Sequence, residues 1–146
     1  MVSNDVIERR RETIDMIKEL SNRFESIRDS VCAPYGLSSA QAIIILDIYH
    51  NPKNSKVTDI CARLNKSTNT ISPLINRLVE KGFLTKVKSS TDARVTNVEL
   101  TEKTKKITEN INIDVFDYTW PMFEALNQEE LTKIYDALKL LMKVVE

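Results

Sequence analysis

Residues 57–83, VTDICARLNKSTNTISPLINRLVEKGF, most constrain the fold, because they place two short amphipathic helices about four residues apart. Thr58 is predicted to cap the first helix. Asn65 suits the left-handed conformation of a tight turn, Ser67 is placed to cap the second helix, and Gly82 to end it. The predicted buried face of the second helix consists of Ile71, Leu74, Ile75 and Leu78. Two short helices, a tight turn and a defined stop predict a helix-turn-helix.

Directly after this motif, residues 83–88 and 94–100 form two short runs in which β-branched and polar side chains alternate. Such alternation predicts two strands, with residues 89–93 joining them as a hairpin. A hairpin that directly follows a helix-turn-helix predicts a winged helix, in which the hairpin is the wing.

Two helices are predicted before this motif. Apolar residues recur every three or four positions in the first of them: Ile14, Ile17, Leu20, Phe24, Ile27 and Val31. Pro34 and Gly36 disfavour its continuation. The second helix is predicted to begin at Ser38, which has a capping-box spacing with Gln41, and to end at Pro52.

Two more helices are predicted after the hairpin. Thr101 can cap the first, which is expected to run to about Tyr118, and Pro121 is expected to interrupt or kink it. Asn127 has a capping-like spacing with Glu130 and begins the last helix. The apolar face of that helix consists of Leu131, Ile134, Leu138, Leu141 and Val145.

Charge is distributed unevenly along the 146 residues, although the net charge is zero. Residues 53–106 carry 12 basic and 5 acidic side chains, a net charge of +7, whereas residues 1–52 carry −2 and residues 107–146 carry −5. A basic middle between acidic ends is typical of nucleic-acid-binding proteins.

Composition argues against several other classes of protein. The single histidine, His50, and the absence of a Gly-rich phosphate loop or a convergent carboxylate pair predict no catalytic activity, no cofactor and no metal site. Cys32 and Cys61 offer neither a disulfide framework nor a zinc pattern. The longest apolar run, residues 42–46, is far shorter than the roughly 20 residues of a membrane span. With no apolar signal core at the N-terminus, a cytoplasmic protein without a membrane partner is expected.

Four stretches carry a family resemblance in their order and spacing: LSSAQ at 37–41, NKSTNTISPLINRLVEKGFL at 65–84, TDAR at 91–94 and VELTEK at 98–103. Through them the chain resembles the MarR/SlyA group of bacterial transcription regulators along nearly its whole length. The resemblance implies one mainly α MarR-type domain over residues 1–146. It implies a winged helix-turn-helix lobe with a two-stranded wing at 37–104, and dimerisation helices at 1–35 and 105–146.

A homodimer follows from the same resemblance, and physical reasoning agrees with it. The terminal helices carry more apolar surface than the winged-helix lobe alone could cover, and a two-fold dimer presents two recognition helices to a palindromic operator. The expected function is therefore that of a sequence-specific, ligand-responsive repressor of transcription, acting on double-stranded DNA.

Within the second helix of the motif, the face opposite the buried one is expected to contact DNA. Asn69 is the best candidate for reading a base, because an amide can pair with adenine through two hydrogen bonds. Arg77 is better suited to the DNA backbone. Pro73 either bends the helix or is a tolerated proline on its exposed side. The full predicted set on this helix is Ser67, Thr68, Asn69, Thr70, Ser72, Pro73, Asn76 and Arg77.

In the wing, Arg94 fits insertion into the narrow, electronegative minor groove. By resemblance to the D-x-R motif of the family, Asp92 would hold Arg94 in place, and Lys86 and Lys88 would add phosphate contacts. The alternative for Asp92 and Arg94 is an exposed ion pair of little energetic consequence.

The resemblance also implies a small aromatic or amphipathic anionic effector, bound between the dimer helices and the DNA-binding lobe. The candidate lining consists of Tyr35, Tyr49, Phe116, Tyr118 and Trp120, for which core packing is the alternative. A second possibility is a thiol-based redox sensor that uses Cys32, which could be exposed and reactive at a helix end, whereas Cys61 is expected to pack inward. A protein-interaction module and a small helical enzyme are the remaining, less favoured alternatives.

Overall fold

In this computed structural model, residues 3–89, 92 and 95–145 are described, without the side chains of residues 112–117. The elements in chain order are α1 (Asn4–Cys32), a short 3₁₀ turn (Ala33–Tyr35), α2 (Ser39–His50), α3 (Val57–Leu64), α4 (Thr68–Glu80), β1 (Leu84–Lys88), β2 (Thr96–Leu100), α5 (Glu102–Glu124) and α6 (Gln128–Val145). This order confirms the predicted mainly α fold, a winged helix-turn-helix with long helices on both sides.

The turn between α3 and α4 has the predicted geometry. Asn65 adopts the left-handed conformation, with φ 50° and ψ 47°, and Gly82, with φ +75°, follows the end of α4. The prediction that Thr58 caps α3 is wrong, because α3 begins at Val57 and Lys56 occupies the N-cap position. Lys56 is extended and pairs with Asn97 of β2, which fixes the start of the helix.

The wing is a two-stranded antiparallel sheet whose register places Leu84 opposite Leu100 and Lys86 opposite Val98. Leu84, Val98 and Leu100 are buried, so the face that carries them is the inner face of the hairpin. The carbonyl of Ser55 accepts a hydrogen bond of 2.9 Å from the Val98 amide, which adds a short extended segment before α3 to the sheet.

The core lies where α2, α3, α4, the wing and the first half of α5 meet. Ile75 and Leu78 are fully buried, Ile71 is buried and Leu74 is half-buried, which confirms the predicted inner face of α4. The other large, fully buried apolar residues of this core are Ile44, Ile45, Ile48, Ile60, Leu84, Val98 and Ile111.

The end of α1 is fastened to the start of α2. Ser38 and Gln41 form the predicted reciprocal capping box. The amide of Ser39 donates to the Asp29 carboxylate at 2.6 Å, and Arg28 Nε donates to the Ser39 hydroxyl at 3.1 Å. These contacts fix how α1 meets the winged-helix lobe.

The prediction that a helix ends near Tyr118 is wrong, because α5 continues through Pro121 to Glu124. Proline removes one backbone donor but keeps a helical φ, so the helix loses one hydrogen bond near its exposed end. The predicted cap at Asn127 is confirmed, since Asn127 Oδ1 accepts from the Glu130 amide at 3.0 Å and Glu130 accepts from the Asn127 amide at 2.9 Å.

Within the described part of the chain, no single helix is long and apolar enough to cross a membrane. Residues 4–35 and α2 together have the length and apolar composition that a membrane span needs, but they meet at an angle of 82°.

Candidate nucleic-acid interface

The candidate interface is built on the solvent-facing side of α4. Asn69, Thr70, Asn76 and Arg77 are all exposed there. Ser67 stands at the N-cap position, where its hydroxyl lies 3.0 Å from the Thr70 hydroxyl and makes no capping hydrogen bond to the backbone. The face therefore presents hydroxyls, amides and a guanidinium, groups that can bond to base edges and phosphates.

Thr68 differs from the other predicted contact residues of α4. Its hydroxyl lies 3.8 Å from the Cys61 sulfur of α3, with the thiol as donor. Because this contact connects the two helices of the motif, Thr68 links α3 to the first turn of α4, although it is exposed.

Pro73 lies on the exposed side of α4, next to half-buried Ser72, and the helix continues on both sides of it. A proline has no amide hydrogen, so it cannot donate to the carbonyl of Asn69, four residues earlier. Asn69 is exposed, so water can supply a donor to this carbonyl. Both interpretations of Pro73, a bend and a tolerated proline, remain predictions.

The wing adds positive charge beside α4. Lys86 and Lys88 lie on the same face of β1 as buried Leu84, but both are exposed. They pair with Val98 and Thr96 of β2. Lys86 Nζ donates a 2.8 Å hydrogen bond to Asn76 Oδ1, so an ammonium group of the wing lies against the polar face of α4. The structure thus brings predicted residues of the helix and of the wing onto one surface.

At the tip of the wing, the backbone pairing continues beyond the strands. Ser89 donates to the Val95 carbonyl and Val95 to the Asp92 carbonyl, both at 2.9 Å. The Asp92 amide lies 3.4 Å from the Ser89 hydroxyl, and the residue is exposed. Arg94 lies outside the described residues, so the pairing of Asp92 with Arg94 stays a prediction.

Lys66 is a basic residue that the sequence-based set omitted. It is exposed in the turn that leads into α4, directly before the N-cap residue Ser67. Lys66 belongs to the basic segment 53–106, which could have identified it as a DNA contact from the sequence. A cation next to the start of a recognition helix is close to the path of the DNA backbone.

The described aromatic residues proposed for the effector site are spread over three elements. Tyr35 and Tyr49 pack against the core, whereas Tyr118 and Trp120 are exposed on α5. The Phe116 side chain lies outside the described residues. Tyr49 lines a cavity of about 340 Å³. The other described residues that line it are Ile48, Pro52, Val98, Glu99, Leu100 and Lys105. An effector site formed by the five aromatics stays a prediction.

The alternative in which Cys32 is exposed and reactive at a helix end is not supported, since Cys32 is buried with 1% of its surface accessible. The 3₁₀ turn after α1 folds the chain back, and the Leu37 amide bonds to the Cys32 carbonyl at 3.3 Å. Burial, followed by the nearby Asp29 carboxylate, raises the pKa of the Cys32 thiol above its ordinary value of 9.0, against the opposing effect of Arg28. Cys61 is buried as predicted.

We expect Cys32 in the Cys61→Ser protein to react with a thiol-alkylating reagent at least about tenfold more slowly when folded than when unfolded in urea. Mass spectrometry of quenched samples measures the alkylation rate. Equal rates in the folded and unfolded states would contradict the prediction and favour a redox role.

The raised pKa of Cys32 also predicts that the free energy of unfolding falls as the pH rises above 9.0, because the unfolded chain then ionises Cys32 first.

Among the described residues, no group of three or more His, Cys, Asp or Glu side chains is placed to hold a metal ion.

Comparison with known proteins agrees with this geometry. The sequence profile of the family described as transcriptional regulator SarA/Rot matches residues 26–111. Over 128 residues the chain is 25% identical to the uncharacterized HTH-type transcriptional regulator YpoP of Bacillus subtilis (strain 168), covering 88% of this chain and 86% of YpoP.

Two solved structures show the same fold. The DNA complex of MepR from S. aureus has a TM-score of 0.81 at 17% identity, covering 90% of this chain and 96% of that one. A MarR transcriptional regulator from Methanosarcina mazei Go1 has a TM-score of 0.76 at 21% identity, covering 90% and 95%. Together with the profile match, they confirm the predicted resemblance to the MarR/SlyA group.

Proposed function

Because the chain belongs to the SarA/Rot family of transcriptional regulators, we propose that a homodimer of this protein binds a palindromic operator in duplex DNA and represses transcription. The observation that carries this proposal is the shared surface of α4 and the wing, where the Lys86 ammonium is hydrogen-bonded to Asn76. A helix that presents polar side chains beside a basic hairpin suits the major groove and the adjoining backbone.

The residues of this surface have different roles in the proposal. Asn69, in the first turn of α4, reads a base edge, and Thr70 and Ser72 donate to phosphates or bases. Arg77, two turns further along, contacts the backbone. Arg94 enters the minor groove and Asp92 holds it there, a pairing that rests on the family resemblance.

Dimerisation through the long helices is the second part of the proposal. None of the described residues of α6 is buried, although Leu131, Ile134, Leu138 and Leu141 repeat at helical spacing on one side. On α1, Ile14, Ile17 and Leu20 are likewise exposed. Two apolar helix faces without cover in the monomer support burial against a second copy. Residues 37–104 then form the DNA-binding lobe, and residues 1–35 and 105–146 the dimerisation part.

Control by a small amphipathic or aromatic anion completes the proposal, with the protein acting in the cytoplasm. The cavity beside Tyr49 contains apolar residues together with Lys105, which supports an amphipathic ligand. Redox control through Cys32 is less well supported, because its buried thiol has a raised pKa. The fold and family are those of DNA-binding regulators, and the proposal includes no enzymatic activity.

Replacing Asn69 by alanine is expected to relax sequence discrimination at one base pair by about 1–3 kcal/mol, because the variant loses a bidentate amide contact to a base. Duplexes selected by the wild-type protein from a random pool serve as ligands, and their single-base variants measure discrimination by fluorescence anisotropy. Asn54→Ala, which removes an exposed amide in the loop before α3, is the matched control and should behave as wild type.

Salt titration tests the wider proposal, since phosphate contacts release counterions and the affinity should fall steeply as salt rises. The absence of any selected duplex, or an affinity that salt does not change, would contradict DNA binding. An Asn69→Ala protein that binds more weakly but discriminates as well as wild type would instead limit Asn69 to a backbone contact.

A further inference from the structure

The register of the wing explains how Lys86 reaches α4. Residues directly opposite each other in an antiparallel pair share one face, and alternate residues of a strand do the same. Leu84, Lys86 and Val98 therefore lie on the same face of the hairpin, and Leu84 and Val98 are buried in the core. Lys86 continues this face just beyond the core, and its ammonium meets the polar face of α4 at Asn76.

Asn76 is well placed for a task other than reading a base. It lies seven residues after Asn69 on α4, two helical turns or roughly 10 Å further along the axis. Residues at the start of a recognition helix contact base edges, and its later turns approach the edge of the groove. In addition, the Asn76 amide oxygen accepts the hydrogen bond from Lys86, which occupies one of its two lone pairs and turns the amide towards the wing.

From this geometry we propose that Asn76 and Lys86 act as a pair: the Asn76 amide oxygen holds the Lys86 ammonium so that the two side chains together bind one phosphate at the edge of the groove. The inference rests on the proposed DNA-binding function and assigns a role within it. The ammonium has two further N–H donors and the Asn76 amide group also has two, so both groups can donate to the same phosphate oxygens. Because a free lysine samples many rotamers, holding it lowers the entropy cost of this contact.

The pair also couples the two parts of the interface. Asn76 belongs to α4 and Lys86 to β1, so a phosphate bound by both fixes the wing relative to the recognition helix. A phosphate contact carries no sequence information, so the pair sets affinity and register and leaves the choice of bases to the first turn of α4.

A double-mutant cycle with Asn76→Ala and Lys86→Met tests the pairing, with affinity for a selected duplex measured at several salt concentrations. We expect Lys86→Met to lower the slope of log affinity against log salt by about 1, as for the loss of one phosphate contact. Asn76→Ala should weaken binding equally for the selected duplex and its single-base variants. The double variant should lose clearly less affinity than the product of the two single losses, because each single change already disrupts the shared contact.

Lys88→Met is the matched control, since Lys88 lies on the same face of β1, two residues further along. Its effect should multiply with that of Asn76→Ala. Independent, multiplying effects of Asn76→Ala and Lys86→Met would overturn the inference. A loss of discrimination at one base pair in Asn76→Ala would do so as well, because it would make Asn76 a base reader.

A measurement without DNA separates this inference from the proposed function. The ¹⁵N signal of Lys86 Nζ, assigned with Lys86→Met, should shift and its protons should exchange with water faster in Asn76→Ala than in wild type. An unchanged signal rejects the pairing even if the protein binds DNA. A changed signal in a protein that binds no duplex rejects the proposed function and, with it, the phosphate-binding role of the pair, while the contact itself stands.

Discussion

Replacing Arg63 by methionine is expected to lower the free energy of unfolding by about 1–3 kcal/mol, because it leaves the largely covered Asp47 carboxylate without its partner. Arg63 Nε and Nη2 donate to the two oxygens of Asp47 at 2.9 and 2.6 Å, a bidentate pair between α3 and α2. The Asp47 side chain is only 8% exposed and that of Arg63 is 26% exposed. The hydrogen bond to Asp47 also raises the pKa of Arg63, in agreement with a charged pair.

Replacing Asp47 by asparagine should lower the free energy of unfolding less than replacing Arg63 by methionine. In Asp47→Asn a neutral amide replaces the buried charge, and the more exposed Arg63 can turn towards water. Urea denaturation at one fixed protein concentration measures these variants, because the stability of a dimer depends on concentration. Arg23→Met is the matched control, since Arg23 pairs with Glu19 on the surface of α1, where both side chains are more than 60% exposed. Equal losses in Arg63→Met and Arg23→Met would contradict the prediction.

Local signals explain why the fold could be predicted from the sequence. Asn65, Gly82 and the Ser38–Gln41 capping box act through the conformation or the hydrogen bonds of a few neighbouring residues, and all are confirmed. The function as a transcriptional regulator is confirmed by the family match. Errors arose where a tertiary contact decided the outcome, as at the start of α3, where pairing with β2 places Lys56 rather than Thr58 at the N-cap.

Contacts between elements account for what sequence reasoning did not predict in the site. Asn76 and Lys86 were both predicted to contact DNA, but their hydrogen bond depends on the distance between α4 and β1, which periodicity does not encode. The same applies to Asp47 and Arg63, which are sixteen positions apart in sequence. A position at the end of a helix could have left Cys32 exposed, but the turn that follows folds the chain over it.

Replacing Leu138 by glutamate is expected to prevent dimerisation through the exposed apolar face of α6. Leu138 lies within the apolar stripe of α6 and half of its surface is accessible in the monomer, as expected for a residue that packs against a second copy. A two-fold axis would bring the new carboxylate into the interface twice, once from each protomer. At several kcal/mol for each buried unpaired charge, the dimer dissociation constant should rise by about 10⁴-fold or more.

Loss of the dimer should also remove operator binding, because each protomer alone presents one recognition helix to one half-site. Sedimentation velocity measures the assembly and fluorescence anisotropy measures binding to the selected duplex. Thr132→Glu adds the same charge to the same helix at an exposed position, about 120° around the axis from Leu138, and should remain a dimer. If Leu138→Glu stayed a dimer at low micromolar concentration, the α6 stripe would not form the interface. If it became a folded monomer with unchanged affinity for DNA, the proposed palindromic recognition by a dimer would be wrong.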